Sequence, residues 1–162
     1  MSNILIFGNS GSGKSTFAKH LAKTESLAHF DLDTIAWLDT SPPRRMPLNE
    51  SQLALNIFIA EHASWVIEGC YADLLTLVLP NASELIFLNL SIEQCIENAK
   101  NRLWEPHKYP SKAAQDSNLE MLLKWIADYA VRSDELSFRA HMELFDSFEG
   151  TKRIVTKNFQ QS

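Results

Sequence analysis

The sequence predicts an α/β fold, a three-layer α/β/α sandwich in which a parallel β-sheet lies between two layers of helices. Short apolar runs alternate along the chain with segments of helical periodicity, as is typical of right-handed β-α-β crossovers. Residues 85–90 are almost continuously apolar, as expected for a strand that is buried on both faces. A glycine-rich segment, residues 8–15, joins the first apolar run to the first helical segment. In such a sheet, ligands bind at the carboxyl ends of the strands.

The predicted strands are short apolar runs bounded by polar residues, glycine or proline. The second of them ends in an aspartate, and the third ends in the pair Glu68-Gly69. In chain order, the predicted strands are residues 4–7, 28–31, 65–69, 85–90 and 153–156.

The helices between these strands are predicted from apolar residues that recur every three or four positions. The first helix follows the glycine-rich segment and covers residues 16–23. Ser91 is predicted to cap a helix after the fourth strand. Two further helices are predicted over residues 119–130 and roughly 134–148, and Gly150 ends the last of them.

A helix is also predicted after the proline-rich loop of residues 41–47. Asn49 is the predicted cap, with Gln52 three residues later as in a capping box. The apolar face of this helix is predicted to contain Leu53, Ile57 and Ala60.

Composition favours one globular domain that covers residues 1–162. Hydrophobic residues make up 45% of the chain and charged residues 22%, which are ordinary values. The net charge of −5 argues against a nucleic-acid partner held by bulk electrostatics. Cys70 and Cys95 lack metal-ligand spacing and are expected to be reduced thiols. With neither a targeting segment nor a membrane-length apolar stretch, we expect a cytoplasmic protein without a membrane partner; the oligomeric state stays open.

Residues 8–15 match the phosphate-loop pattern G-x-x-x-x-G-K-[ST], and the flanking strand and helix distinguish the match from a chance turn. Glycines allow backbone N–H groups to turn toward a phosphate, and the helix start adds unpaired donors. Lys14 is expected to reach the β- and γ-phosphates of a nucleoside triphosphate, and the Ser15 hydroxyl to bind Mg²⁺. The predicted nucleotide-binding residues are Gly8, Asn9, Ser10, Gly11, Ser12, Gly13, Lys14, Ser15 and Thr16.

Three acidic residues lie at the ends of predicted strands or just beyond them, at the same edge of the sheet. Asp31 and Asp33 stand one residue apart, so in an extended segment their side chains point the same way and can share a metal ion or a polar substrate. Glu68 ends an apolar strand, a position typical of a residue that holds Mg²⁺ or orients a nucleophile. The alternatives are a solvated loop acid for the first two and a capping or surface carboxylate for Glu68.

Transfer of a phosphoryl group also requires positive charge, because negative charge spreads over the equatorial oxygens. Arg102 stands before a proline-containing stretch that also carries Lys108 and Lys112, a pattern that favours a mobile flap. Arg132 follows the next predicted helix. A solvated helix face is the alternative for either arginine.

Four residues are candidates for the acceptor side of the site. Arg44 and Arg45 lie between the second strand and the following helix, where they could hold an anionic acceptor, and a plain pair of loop charges is the alternative. Trp37 and Tyr71 could stack on a planar substrate, although aromatic residues near strand ends more often belong to the core.

The phosphate loop, residues 30–37, residues 65–71 and the flap together resemble the small P-loop kinases, the group of adenylate, shikimate and dephospho-CoA kinases. The chain is most similar to the bacterial proteins labelled topology-modulation or adenylate kinase-like. This resemblance implies a P-loop nucleoside/nucleotide kinase-like fold with five parallel strands, an acceptor region near residues 33–64 and a small lid near residues 104–116. In shikimate kinase-like members the second acid of the D-x-D pair contacts the acceptor, which implies that role for Asp33.

The sequence therefore predicts a phosphotransferase that uses ATP and Mg²⁺ to phosphorylate a small-molecule acceptor. Lys14, Asp33, Arg102 and Arg132 are the predicted catalytic residues; the predicted metal site consists of Ser15, Asp31 and Glu68; and Asp33, Arg44, Arg45 and Tyr71 are predicted to bind the acceptor. ATP is preferred to GTP because the guanine-binding pattern N-K-x-D is absent from the sequence. The alternatives are a regulatory ATP-binding protein that modulates DNA topology or gene expression, and a structural domain with a vestigial loop.

Overall fold

A computed structural model of the chain describes residues 2–159. The strands are β1 (Asn3–Gly8), β2 (Ala28–Asp31), β3 (Trp37–Leu38), β4 (Arg44–Arg45), β5 (Trp65–Gly69), β6 (Glu84–Leu88) and β7 (Thr151–Val155). The α-helices are α1 (Lys14–Thr24), α2 (Asp33–Ala36), α3 (Leu48–Glu61), α4 (Ala72–Val78), α5 (Ile92–Lys100), α6 (Lys112–Ala127) and α7 (Phe138–Ser147). None of the helices between residues 2 and 159 combines the length and the apolar character needed to cross a membrane.

Five strands form one parallel sheet in the order β2-β5-β1-β6-β7, and β3 pairs with β4 in a separate antiparallel ribbon. The predicted fold class is confirmed, because the five predicted strands are the five strands of this sheet. The strand β1 lies at the centre, with β5 on one side and β6 on the other. Its carboxyl end is therefore a topological switch point, where a crevice opens for a ligand.

Alternate residues of the central strands point to opposite faces of the sheet, so each face has its own apolar core. Leu5 and Phe7 of β1 belong to the core that is shared with α3, α4 and α7. Ile4 and Ile6 belong to the core that is shared with α1, α5 and α6. This two-sided burial explains why the central strands β1 and β6 are almost continuously apolar in sequence.

The predicted apolar face of α3 is wrong. Leu53 is 63% exposed and Ile57 is 59% exposed, whereas Leu55 and Ser51 are buried. The helix begins at Leu48, and no side chain caps it, so Asn49 is not the cap. The apolar residues of α3 are distributed around almost the whole helix, so their periodicity does not identify the buried side. The buried side is the one that faces α2, where the Ser51 hydroxyl donates a hydrogen bond of 2.7 Å to the carbonyl of Ile35.

Serine caps set the start of the two later helices. Ser111 accepts a hydrogen bond from the backbone N–H of Ala114, so α6 begins earlier than predicted. Ser137 accepts from the backbone N–H of Ala140, so α7 begins later than predicted. The short elements α2, α4, β3 and β4 were not predicted, because they are too brief to show periodicity.

A buried histidine ties α7 to the end of β5. His141 is fully buried, and its Nε2 lies 2.7 Å from the carbonyl oxygen of Cys70. Burial lowers the pKa of His141 from 6.5 to about 4, so the ring is neutral at pH 7. A carbonyl only accepts, so the single N–H of the neutral ring is on Nε2, and Nδ1 accepts from the hydroxyl of Tyr129 at 2.6 Å.

We expect this histidine to make the fold acid-sensitive. Because the pKa is lower in the folded state than in the unfolded state, the unfolded chain binds more protons between pH 6.5 and 4, and stability is lost as the pH falls through this window. The loss is about 3 kcal/mol at most. Urea unfolding at pH 7 and pH 4.5 measures it. His141→Gln is expected to reduce the loss of stability between pH 7 and pH 4.5. His62→Gln, directly after α3, is the control and is expected to leave that loss unchanged. An equal loss of stability in the wild-type protein and both variants would contradict the role of His141.

Candidate functional site

The glycine-rich loop leaves the carboxyl end of β1 and enters α1 through two glycines in left-handed conformations. Gly11 has φ of +80° and Gly13 has φ of +87°, values that favour glycine over any other residue. A β-carbon at Gly11 would lie 2.3 Å from the carbonyl oxygen of Cys95 in α5. The loop thus packs directly on the backbone of α5, which only a glycine permits.

Two asparagine side chains hold the loop in its shape. The amide of Asn9, which is buried, donates to the carbonyl of Ile126 in α6 at 3.2 Å. The amide of Asn98 in α5 donates to the carbonyl of Gly11 at 2.7 Å. The loop is therefore anchored to both α5 and α6, and its shape is held by contacts within the protein.

The loop offers a set of donors that fits a polyphosphate. The ammonium group of Lys14 donates to the carbonyl of Asn9 at 2.8 Å, so it lies across the loop. The first turn of α1 presents backbone N–H groups that have no acceptor within the helix. The buried hydroxyl of Ser12 has no hydrogen-bond partner within residues 2–159. An anion at this helix start would meet the lysine, the free amides and the positive end of the helix dipole together.

The predicted acidic residues come together beside the loop. Asp31 ends β2 and is the backbone register partner of Glu68 in β5, and Asp33 follows as the first residue of α2. The backbone N–H of Asp33 donates to Asp31 Oδ1 at 2.9 Å. Burial, together with the charges of Glu68 and Asp33, raises the pKa of Asp31. The carboxylates are close enough to repel one another, and a cation would relieve that repulsion.

Glu68 is almost fully buried and pairs with a histidine that sequence analysis did not assign to the site. Its Oε2 lies 2.9 Å from Nε2 of His29. Within residues 2–159, no group of three or more His, Cys, Asp or Glu side chains has the geometry of a metal site. At phosphoryl-transfer sites, however, Mg²⁺ is held by one or two carboxylates with phosphate oxygens and water, so the donor set here suits that ion.

Asp33 is the centre of a hydrogen-bonded network. The Tyr71 hydroxyl donates to Asp33 Oδ1 at 2.5 Å, and the indole N–H of Trp37 donates to the Tyr71 hydroxyl at 2.9 Å. The ammonium group of Lys108 lies 2.8 Å from Asp33 Oδ2. Burial alone would raise the pKa of Asp33, but Lys108, Tyr71 and the more distant charge of Lys14 together lower it. Asp33 is thus an oriented, ionised carboxylate at neutral pH.

Lys108 brings the predicted lid onto the acceptor region. Besides Asp33, it pairs with Glu105 at 3.3 Å, and Arg102 pairs with the same glutamate at 3.2 Å. Burial alone would lower the pKa of Lys108, but the two carboxylates raise it above its ordinary value. The side chain of Gln115 in α6 accepts a hydrogen bond from the backbone N–H of Glu105 and so supports this turn. The segment between α5 and α6 is therefore closed over Asp33.

The guanidinium of Arg45 is paired inside the protein. It donates to Glu135 Oε1 at 2.9 Å, to both carboxylate oxygens of Asp73 at 3.0 and 3.1 Å, and to the carbonyl of Ala36 at 3.0 Å. It also lies over the ring of Tyr71, 4.8 Å from the ring centre. The arginine that we predicted to bind the acceptor thus supports the tyrosine that holds Asp33.

The two remaining predicted arginines lie apart from this network. Arg132 donates to the carbonyls of Trp125 and Leu136, and its guanidinium lies 3.7 Å from the centre of the Trp125 ring. Arg44 is exposed on β4. Within residues 2–159, neither guanidinium forms a hydrogen bond or an ion pair with the phosphate loop or with Asp33.

Sequence analysis missed the site contacts of Lys108, His29 and Glu135. Lys108 was recognised only as part of the flap. Its position in the middle of the flap is a signal that could have identified it, because a cation there can pair with carboxylates that the flap covers. For His29 and Glu135, no pattern in the sequence indicates a site, because their partners are distant in the chain and meet them only in the fold.

No family model matches the chain, and no curated protein matches it in sequence. Among solved structures, the chain is similar to the shikimate kinase from Acinetobacter baumannii in complex with shikimate, with a TM-score of 0.53 and 15% sequence identity. The similarity covers 99% of this chain and 86% of that chain. The predicted similarity to topology-modulation proteins stays a prediction. At this identity the likeness shows the fold: the chain has the fold of shikimate kinase, a P-loop kinase.

Proposed function

We propose that this protein is an ATP- and Mg²⁺-dependent phosphotransferase that acts on a small hydroxyl-bearing acceptor. The observation that carries the proposal is the juxtaposition of the preformed phosphate loop with the acidic network at the same edge of the sheet. Lys14 of the loop is close enough to Asp33 to lower its pKa. A nucleotide on the loop and an acceptor on Asp33 would then lie side by side.

In this proposal, the loop amides and Lys14 bind the β- and γ-phosphates, as the donors at the start of α1 suggest. The acceptor oxygen attacks the γ-phosphorus, and the bond from that phosphorus to the β,γ-bridging oxygen breaks, so ADP leaves. The hydroxyl proton of the acceptor passes to the carboxylate of Asp33. In the same proposal, Arg102 and Arg132 neutralise the migrating phosphoryl group, which requires each guanidinium to leave the partners that hold it in this structure.

Mg²⁺ would be held by the Ser15 hydroxyl and, directly or through water, by Asp31 or Glu68. When bound, it neutralises the charge on the phosphate oxygens. The raised pKa of Asp31 and the burial of Glu68 support this assignment, because clustered carboxylates are stabilised by a cation.

Thermal unfolding with ATP and Mg²⁺, followed by an ADP-release screen, tests the proposal. At a ligand concentration of 100 times Kd, binding stabilises the folded state by about 2.7 kcal/mol, so a clear rise in Tm is expected. A hydroxyl-bearing metabolite is then expected to raise ADP release well above the background rate in water. An unchanged Tm would contradict nucleotide binding, whereas binding without any acceptor-dependent ADP release would favour the regulatory ATP-binding alternative.

A further inference from the structure

The charges around Asp33 restrict the kind of acceptor that this site can take. Three cations belong to the network around Asp33 and could attract an anion there: Arg45, Lys108 and Arg102. Arg44, which we also predicted to bind the acceptor, is exposed, and as the neighbour of Arg45 on the same strand it points to the opposite face of the ribbon. Arg45 is paired with two carboxylates, Lys108 with Asp33 and Glu105, and Arg102 with Glu105. Each of these positive charges is therefore matched by negative charge within the protein.

The two partners of Arg45 are themselves held in place. The Asp73 carboxylate also accepts from the backbone N–H of Leu74 in the first turn of α4. The backbone of Glu135 is held as well, because its carbonyl accepts from the N–H of Ala72 at 2.8 Å. An anionic acceptor would have to compete with two carboxylates that already bind the guanidinium of Arg45, one of them through two hydrogen bonds.

The carboxylates of the same region outnumber its cations, because Asp33 shares Lys108 with Glu105, and Glu68 contacts an imidazole, that of His29. Asp31 and Glu68 are neighbours on adjacent strands, and Asp33 lies directly after them. The cation that touches Asp33 is the ammonium group of Lys108, which belongs to the lid. An acceptor that binds Asp33 displaces Lys108 from Oδ2. A hydroxyl or ammonium group of the acceptor then donates to Oδ2 in place of the lysine.

We propose that the acceptor is a polyhydroxy compound without a carboxylate or phosphate group, either neutral or amine-bearing. This inference rests on the proposed phosphotransferase function and names its substrate class. Hydroxyl and ammonium groups donate hydrogen bonds to carboxylates, whereas a carboxylate or phosphate lacks such donors and places a further negative charge beside Asp33, which is not among the residues proposed to hold Mg²⁺. The carboxylates of Asp73 and Glu135 already bind the guanidinium of Arg45, so this cation is not available to an anionic acceptor.

Matched probes test the preference in the wild-type protein saturated with a non-hydrolysable ATP analogue and Mg²⁺. Glucose, glucosamine and ribose are compared with gluconate, glucose 6-phosphate and ribose 5-phosphate by thermal shift, and by ADP release with ATP. We expect at least one neutral or amine-bearing probe to stabilise the protein or to be phosphorylated. Its anionic counterpart is expected to bind, or to stimulate ADP release, roughly tenfold more weakly. Stronger effects from the anionic probes, or no effect from any neutral or amine-bearing probe, would overturn the inference.

A double variant tests the role of Arg45 directly. Asp73→Asn with Glu135→Gln removes both charges that neutralise the guanidinium, and we expect gluconate and glucose 6-phosphate to bind at least about tenfold more tightly. The control is Asp146→Asn with Glu149→Gln, two exposed residues at the end of α7, which changes the net charge equally and is expected to leave anion binding unchanged. Equal anion binding by both double variants would overturn the assignment to Arg45.

Binding of the ATP analogue is measured first in every protein. Its failure in the wild-type protein would refute the proposed function itself. Normal analogue binding with a reversed acceptor preference would refute only the inference about the acceptor.

Discussion

Alanine in place of Lys14 is expected to slow ADP formation by roughly 10²- to 10³-fold, the usual cost of losing a group that stabilises charge in the transition state. The ammonium group lies across the phosphate loop, 2.8 Å from the carbonyl of Asn9. With a polyphosphate on the loop, the same group is in position to meet the β- and γ-phosphates, where negative charge accumulates. A coupled assay of ADP release at saturating ATP and Mg²⁺ measures the loss.

The protein itself should stay folded in this variant, because the side chain of Lys14 gives up one hydrogen bond worth about 1 kcal/mol. Lys19→Ala is the matched control: the same substitution on an exposed position of the same helix, α1, with an expected rate equal to that of the wild-type protein. Wild-type rates for Lys14→Ala, with the fold intact by urea unfolding, would show that the loop does not perform phosphoryl transfer.

Alanine in place of Gly11 is expected to destabilise the fold by about 3 kcal/mol or more. A left-handed φ of +80° accounts for part of the cost. The larger part is steric, because the new β-carbon would lie 2.3 Å from the carbonyl oxygen of Cys95, which is backbone and cannot move aside without shifting α5. Urea unfolding at neutral pH measures the change in the free energy of unfolding.

Gly13→Ala separates the two contributions. Gly13 has almost the same φ, +87°, but a β-carbon there meets no atom within 4 Å. We therefore expect only the backbone cost of about 1 kcal/mol for this variant. If both substitutions destabilise the protein equally, packing of the loop on α5 contributes nothing beyond the backbone conformation.

Much of the fold follows from local sequence. The central strands β1 and β6 are apolar on both faces, and such runs are recognisable without knowledge of their neighbours. The caps at Ser91, Ser111 and Ser137 form hydrogen bonds within three residues, although only the first was recognised in the sequence. For α3, local pattern failed, because apolar residues on nearly every side leave the buried face to the packing of α2.

The candidate site likewise contains residues that local sequence predicts and pairings that it does not. The phosphate loop was predicted residue by residue, because its glycines, lysine and serine occupy fixed positions in one short segment. The carboxylates of Asp31, Asp33 and Glu68 were placed at one edge, because parallel strands bring their carboxyl ends together. The pairing of Arg45 with Asp73 and Glu135 was not predictable, since the side chains come from three separate segments.

The sequence alone determined the fold class, the loop that fits a polyphosphate and the edge of the sheet on which the acidic residues lie, because these features depend on spacing within single segments. The tertiary structure alone decided which charges meet: Lys108 with Asp33, His29 with Glu68, and Arg45 with its two carboxylates. An ion pair between distant segments leaves no periodic trace in either segment, and its partners are fixed only when the chain packs.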